Sequence, residues 1–199
     1  GRIRNNLGDE CVNVIETNLQ DVKIIEMDVF GDHRGFFTES YTKEKFLEAG
    51  ITIDFIQDNH SLSVEPGVLR GMHFQTYPKA QTKLVRTTTG VIYDVLVDMR
   101  LGSPTYGNWE GYILSEYNHR QLLVPKGFAH GFVTLTSNCN VQYKVDEYYS
   151  KEHDGGIAFD DSSLDIAWPM PVEKLIISDK DTKHPTFSEF NSPFIYGEI

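Results

Sequence analysis

The stretch VIYDVLVDM, residues 91–99, reads as a β-strand with one wholly apolar face and a second face that mixes acids with aliphatics. Side chains alternate across a strand with a period of two. Val91, Tyr93, Val95, Val97 and Met99 therefore share one side, and Ile92, Asp94, Leu96 and Asp98 the other. Outward from it recur short runs rich in Val, Ile, Tyr, Phe and Thr, each stopped by turn residues. DVKIIEMDVF, GFFTESY, IDFIQDNHSLS, VLRGMHFQ and KLVRTTTG precede it; NWEGYILS, QLLVPKG, AHGFVTLT and VQYKVDEYY follow. Strands at this spacing predict an all-β sandwich or barrel, not βαβ units. The best helix signal is TKEKFLEAG, residues 42–50, with Thr42 as N-cap, Gly50 as the stop, and Phe46 and Leu47 packed on the sheet.

Parity also singles out polar groups. VQYKV, residues 141–145, sets Tyr143 between Val141 and Val145 on one face, with Gln142 and Lys144 on the other. Asp94 and Tyr143 are thus candidates for polar groups that point inward, toward the ligand if the barrel keeps a cavity. For each, the alternative is a structural residue whose polar atoms are satisfied in the core.

With 199 residues, 40% of them apolar, the chain can bury the core of one good-sized domain. A net charge of −11 argues against nucleic acid or an anionic membrane as the main partner. A few arginines in a pocket can still make a local anion site. The two cysteines, Cys11 and Cys139, form no disulfide framework and no CxxC pair, in keeping with a reducing compartment. No apolar run approaches the roughly 20 residues of a membrane span, and no signal peptide opens the chain. A soluble, cytoplasmic protein is expected. Residues 1–14 read as a polar arm or expression remnant, and residues 186–199 as a tail without recognisable signal.

Seven histidines invite a metal hypothesis. His33, His119, His153 and His184 lie in polar, turn-rich segments and are most simply solvated; His60 could face either way. His73 and His130 remain. The fragment PKGFAHG, residues 125–131, has the form P-x-G-x-x-H before an apolar strand. It resembles the second signature of the cupin superfamily, small jelly-roll barrels whose cavity often holds a metal. A metal-bearing cupin offers a His-x-His pair and a glutamate from its first signature. Here the matching stretch is His73-Phe74-Gln75, so the ligand count falls short and a metal-free cavity is expected. A histidine there is left to move protons.

VLRGMHFQ, residues 68–75, adds a conflict. On a regular strand Arg70 and His73 point to opposite faces, unless a bulge or kink at Gly71 brings both to one side. A buried arginine needs an anion, either a structural carboxylate or a ligand phosphate.

FGDHRGFFTESY, FIQDNHSLS, GVLRGMHFQ, KLVR, VIYDVLVDMR, SPTYGNWEG, RQLLVPKGFAHGFVTL, YKVDEYYS and ISDKD, taken in order, resemble the RmlC family. These are dTDP-4-dehydrorhamnose 3,5-epimerases of the cupin superfamily. The resemblance runs from about Ile15 to about Pro185 and implies one cupin-type jelly-roll domain over 15–185, with a few short helices. It implies inversion of carbons 3 and 5 of a dTDP-linked 4-keto-6-deoxyhexose by proton removal beside the ketone, without metal or redox cofactor. The product usually serves dTDP-L-rhamnose synthesis for cell-surface polysaccharide. On the family's pattern His73 is the base, and Asp181, in Ser178-Asp179-Lys180-Asp181, partners it. Tyr143 is the general acid, Lys83 stabilises the enolate oxygen, and His130 and Asp94 support the cavity. For the nucleotide the resemblance implies Arg34, Glu39, Gln57 and Asn59, with Arg70 toward the diphosphate and Tyr149 stacked on the base. Asp154 and Lys180 occupy further matching positions. It also implies a homodimer whose N-terminal strand crosses to the partner, so that Arg34 serves the neighbouring site. The chain departs from the family at Phe159-Asp160-Asp161-Ser162, near the barrel's end. An epimerase acting at carbon 3 only, one for another NDP-4-keto sugar, and a non-catalytic sugar-nucleotide-binding cupin are the alternatives.

Overall fold

Short runs of β-branched and aromatic residues cannot bury a face alone, so they pair across the chain. The computed structural model describes residues 3–4 and 12–198. Its early elements are β1 (Ile3–Arg4), β2 (Asn13–Glu16), β3 (Lys23–Glu26), β4 (Val29–Asp32), β5 (Gly35–Phe37), helix α1 (Lys43–Glu48) and β6 (Gln57–Ser63). Then follow β7 (Leu69–Gln75), β8 (Lys83–Thr89), β9 (Val91–Asp98), β10 (Trp109–Ser115) and β11 (Arg120–Val124). The last are β12 (Phe128–Thr134), β13 (Cys139–Val145) and β14 (Asp154–Gly156). Residues 1–2 and 5–11 of the arm, with Cys11, and the last residue of the tail lie outside the described residues.

The architecture is the expected all-β jelly roll. One sheet runs β2-β3-β11-β8-β13-β6 and a second β10-β9-β12-β7-β14, while β1, β4 and β5 form a small third sheet. The two large sheets close on each other over Val85, Leu122 and Val141 from one side and Ile92, Leu96 and Phe132 from the other. Three strands fall outside the predicted runs, β1, β2 and β14. DVKIIEMDVF, read as one run, is divided between β3 in the large sheet and β4 in the small one.

The two faces of β9 meet different partners. Ile92, Asp94 and Leu96 turn into the barrel, and all three are fully buried. Val95, Val97 and Met99 turn outward, under Ile157, Phe159 and Phe194. The chain after β14 thus covers the outside of this sheet, which is why a strand of an antiparallel sheet is apolar where water is usual. Phe194 is fully buried, 5.5 Å from the Phe74 ring centroid. Truncating such a side chain to alanine costs about 3–5 kcal/mol.

At the end of β9 a polar network forms. Asp98, with no exposed surface, accepts hydrogen bonds from Arg100 Nε (3.0 Å), Ser103 Oγ (2.6 Å) and Thr105 Oγ1 (2.7 Å). Arg100 also donates to Asp21 at 2.8 Å.

Helix α1 sits where predicted but is used differently. Gly50, at φ +85°, ends it, with Ile51 N–H donating to Phe46 O (2.8 Å) and Gly50 N–H to Leu47 O (3.0 Å), a Schellman pattern. Thr42 holds the N-cap position, but its hydroxyl donates to Glu39 Oε2 instead of capping. Phe46 is buried, whereas Leu47 is 46% exposed; a helix of six residues has room for only one buried aromatic on its face. Leu47 is therefore not part of the packing. No helix among the described residues is long and apolar enough to cross a membrane.

Candidate active site

The parity conflict at Arg70 and His73 is resolved by a bulge. In the β7–β12 ladder His73 lies opposite His130 and Arg70 opposite Phe132. Three steps on β7 thus match two on β12, and β7 carries the additional residue. Gly71 has φ +144°, and a Cβ on it would lie 2.5 Å from Gly131 Cα and 3.0 Å from His130 O. Only glycine passes there. Both side chains consequently line one cavity of about 530 Å³.

Around His73 the cavity wall is tightly bonded. Its Nε2 is 2.6 Å from Asp181 Oδ1, and Gly71 N–H donates to Asp181 Oδ2 at 3.2 Å. Burial pushes the Asp181 carboxyl up, but His73, His184 and the Gly71 N–H together hold it well below the usual carboxylate range. An ionised carboxylate only accepts, so the neutral His73 ring carries its proton on Nε2 and its lone pair on Nδ1.

Across the cavity stand residues of the six-stranded sheet. Lys83, on β8, is buried, and desolvation lowers its amine to about 8 against the opposing pull of Asp94 and Asp154. Its Nζ lies 6.0 Å from the ring centroid of Tyr143, on β13. Burial raises the Tyr143 phenol above its ordinary value, with Asn59 and Arg70 pulling the other way, so it is protonated at neutral pH. At the floor, His130 Nε2 is 2.8 Å from Asp94 Oδ2, while the buried Asp94 Oδ1 has no hydrogen-bond partner among the described residues.

Arg70 donates to Ser63 Oγ and to Leu62 O, each at 3.1 Å, and no carboxylate pairs with it among the described residues. The reading of Arg70 as a buried arginine that needs an anion is not met: Arg70 is exposed, so water can solvate its guanidinium. Lys180 also lines the cavity and is held by Asp154 at 2.5 Å, which raises its amine. Asn59 stands opposite Tyr143 in the β6–β13 ladder and accepts from the Gln57 amide at 3.0 Å. Gln57 Oε1 in turn accepts from Tyr149 N–H at 3.4 Å, and the Tyr149 side chain is 59% exposed.

Gln57, Asn59 and Tyr149 lie beyond the residues that line this cavity, and Arg34 and Glu39 are bonded elsewhere. Arg34 sits in the β4–β5 hairpin, bonded to Asp32, beside the exposed Phe36 and Phe37. Glu39 is paired with Lys45 at 2.6 Å. Sequence reasoning also missed a residue. His184 is not solvated: its side chain is 9% exposed and its Nε2 is 3.0 Å from Asp181 Oδ1. Asp181 is in a 3₁₀ turn, Lys180–Thr182, and His184 follows two residues past its end, so the Asp181-x-x-His184 spacing was the available signal. His153, bonded to Ser150 Oγ at 2.7 Å, and His119, edge-on to Phe36, are likewise engaged.

The donor set does not fit a metal. Gln75, where a metal-bearing cupin has its second histidine, spends its amide on the carbonyls of Lys79 and Tyr148 and accepts from Ser150 N–H. His73, Asp181 and His184 cluster, but 2.6 Å between Nε2 and Oδ1 is a hydrogen-bond length. Two ligands on one zinc stand about 3.3 Å apart for bonds of about 2.0 Å.

A family profile described as dTDP-4-dehydrorhamnose 3,5-epimerase matches residues 16–189. The dTDP-4-dehydrorhamnose 3,5-epimerase of Shigella flexneri is 49% identical over 177 residues, 88% of this chain and 96% of the relative. The Bacillus anthracis epimerase, solved with TDP and PPi bound, superposes with a TM-score of 0.85 at 56% identity, covering 88% of this chain and 99% of that one. The Legionella pneumophila enzyme, solved in complex with dTDP-4-keto-L-rhamnose, has a TM-score of 0.88 at 43% identity, with 94% and 100% covered. Matching in sequence along nearly its whole length, and in fold around the same barrel, the chain belongs to the dTDP-4-dehydrorhamnose 3,5-epimerase family.

Proposed function

We propose that this chain epimerises dTDP-4-dehydro-6-deoxy-D-glucose at carbons 3 and 5, with His73 as base, Tyr143 as acid and Lys83 as the enolate's counter-charge. His73 Nδ1 takes the proton from a carbon beside the ketone, and the C–H electron pair moves into a C–C double bond, leaving the charge on the former ketone oxygen. The Lys83 ammonium stabilises that oxygen. Tyr143 then delivers a proton to the opposite face of the carbon, inverting it. The observation that carries this reading is the pairing across one cavity. A histidine with a fixed tautomer stands on one wall, and a protonated phenol beside a buried amine stands on the other. Arg70, exposed and with no carboxylate partner among the described residues, would hold the diphosphate.

The reading includes a homodimer in which the β4–β5 hairpin reaches the partner's cavity, giving Arg34 and Glu39 their nucleotide roles. In its support, Phe36 and Phe37 at the hairpin are 61% and 60% exposed, an aromatic pair that an interface would cover. A cytoplasmic location is in keeping with the buried free thiol of Cys139.

Incubation with the dTDP-4-keto sugar in D₂O, read by NMR, tests the reaction. Deuterium is expected at carbons 3 and 5 and none with His73→Ala. Label at carbon 3 alone would make the chain a monoepimerase, and binding without any label would make it a non-catalytic cupin.

A further inference from the structure

We propose that His184 is a positioning residue that shares the Asp181 carboxylate with His73 and thereby sets how basic the base is. This rests on the reading of His73 as the proton acceptor. Asp181 Oδ1 takes both rings, with His73 Nε2 at 2.6 Å and His184 Nε2 at 3.0 Å, while Oδ2 takes Gly71 N–H. Each donor beyond His73 draws off part of the negative charge that would favour the His73 imidazolium. A protonated His184 would act in the same direction by repulsion, since the ring centroids are 5.7 Å apart.

The seat of His184 is built into the sheet. Gly156, on β14, is the register partner of His73. A Cβ at Gly156 would lie 2.9 Å from both Cε1 and Nε2 of His184 and would collide with the Met72 carbonyl. The ring therefore occupies space that only a glycine opposite the base leaves open. Such a seat holds the donor at one distance from the carboxylate, as a surface histidine could not.

Other charged or titrating groups also face His73. They are Arg70 on its own strand, Lys83 on β8, Tyr143 on β13, His130 with Asp94 from β12 and β9, and Lys180 with Asp154. All stay in place when position 184 is changed, so a shift on substitution reports the one donor.

The test compares wild-type protein with His184→Ala and His184→Gln. Deuterium exchange into the dTDP-4-keto sugar and kcat/KM are followed from pH 5 to 9, and the His73 ring is titrated by NMR without substrate. Removing the donor should raise the acid limb and the His73 titration by about half to one pH unit. Glutamine, whose amide nitrogen donates from about the place of Nε2, should leave both within ~0.2 of wild type. Superimposable alanine and wild-type curves, or a shift to lower pH, would overturn the role of His184. If the alanine variant fails to fold, His184→Met fills the seat without a donor and carries the same expectations. Wild-type protein that exchanges no deuterium refutes the reading of His73 instead, which keeps the two failures apart.

Discussion

The substitution Lys83→Met keeps the length of a buried side chain and deletes its charge. Desolvation brings the Lys83 amine from 10.5 to about 8, even with Asp94 and Asp154 opposing it. At about 1.4 kcal/mol per tenfold, holding the ammonium in the fold at pH 7 costs on the order of 3 kcal/mol. Methionine removes that cost. Part of the gain is lost because the buried Asp94 carboxylate, whose Oδ1 has no hydrogen-bond partner among the described residues, then loses the attraction of the Lys83 ammonium. A net stabilisation of about 1–3 kcal/mol at pH 7 is expected. The sign with pH follows from proton counting. Between about 8 and 10.5 the unfolded lysine is charged and the folded one is not, so wild-type stability rises with pH across that window. The variant lacks this rise, so its advantage is widest below pH 8 and closes by about 10.5. Urea unfolding of both proteins at pH 7, 9 and 10.5, at one fixed protein concentration, measures it. A variant less stable than wild type at pH 7, or a gap unchanged across the series, would refute the reasoning. The same variant should lose roughly 10²–10³-fold in turnover, the usual cost of one transition-state donor.

Tyr143→Phe should abolish net inversion yet retain some deuterium exchange, because the base remains; loss of both together in the NMR assay would reassign the tyrosine. Gly71→Ala forces a Cβ to 2.5 Å from the Gly131 backbone. It should cost about 2–4 kcal/mol in urea unfolding and lower kcat more than it raises KM, since the bulge places His73. An unaltered kcat would show that the bulge is dispensable. Arg100→Met strands the fully buried Asp98 charge and should destabilise by about 3–5 kcal/mol. KM should not move, since Arg100 lies outside the cavity wall; a raised KM would contradict that separation.

Strand parity carried much of this structure. Asp94 and Tyr143 turn inward as their alternation predicts, because a period of two is imposed by the backbone wherever a strand is regular. Where regularity fails, parity fails with it. Arg70 and His73 needed the bulge, for which Gly71 was the local signal. Asp181 lies in a 3₁₀ turn and His184 just beyond its end, where alternation says nothing and the three-residue spacing was the available signal. The aromatics of the chain's last part, Phe187, Phe190 and Phe194, show no period at all. They cover a sheet that is laid down elsewhere in the sequence, so nothing local to residues 186–199 marks them as its cover. Arg34 and Glu39 were named by resemblance alone, and within one chain nothing local draws them to the cavity.

Residues 176–181 run beside β7, with Leu69 N–H donating to Ile176 O at 3.0 Å and Ile176 N–H to Gly67 O at 2.8 Å. This one segment is a wall of the cavity through Ile176 and Ser178 and also the carrier of Asp181. The shape of that wall and the orientation of His73 therefore depend on the path of one backbone segment. Were the segment to swing aside, the histidine would lose the carboxylate that fixes its tautomer in the same movement. A substitution anywhere in residues 176–181 is thus felt twice, in the shape of the cavity and in the orientation of the imidazole.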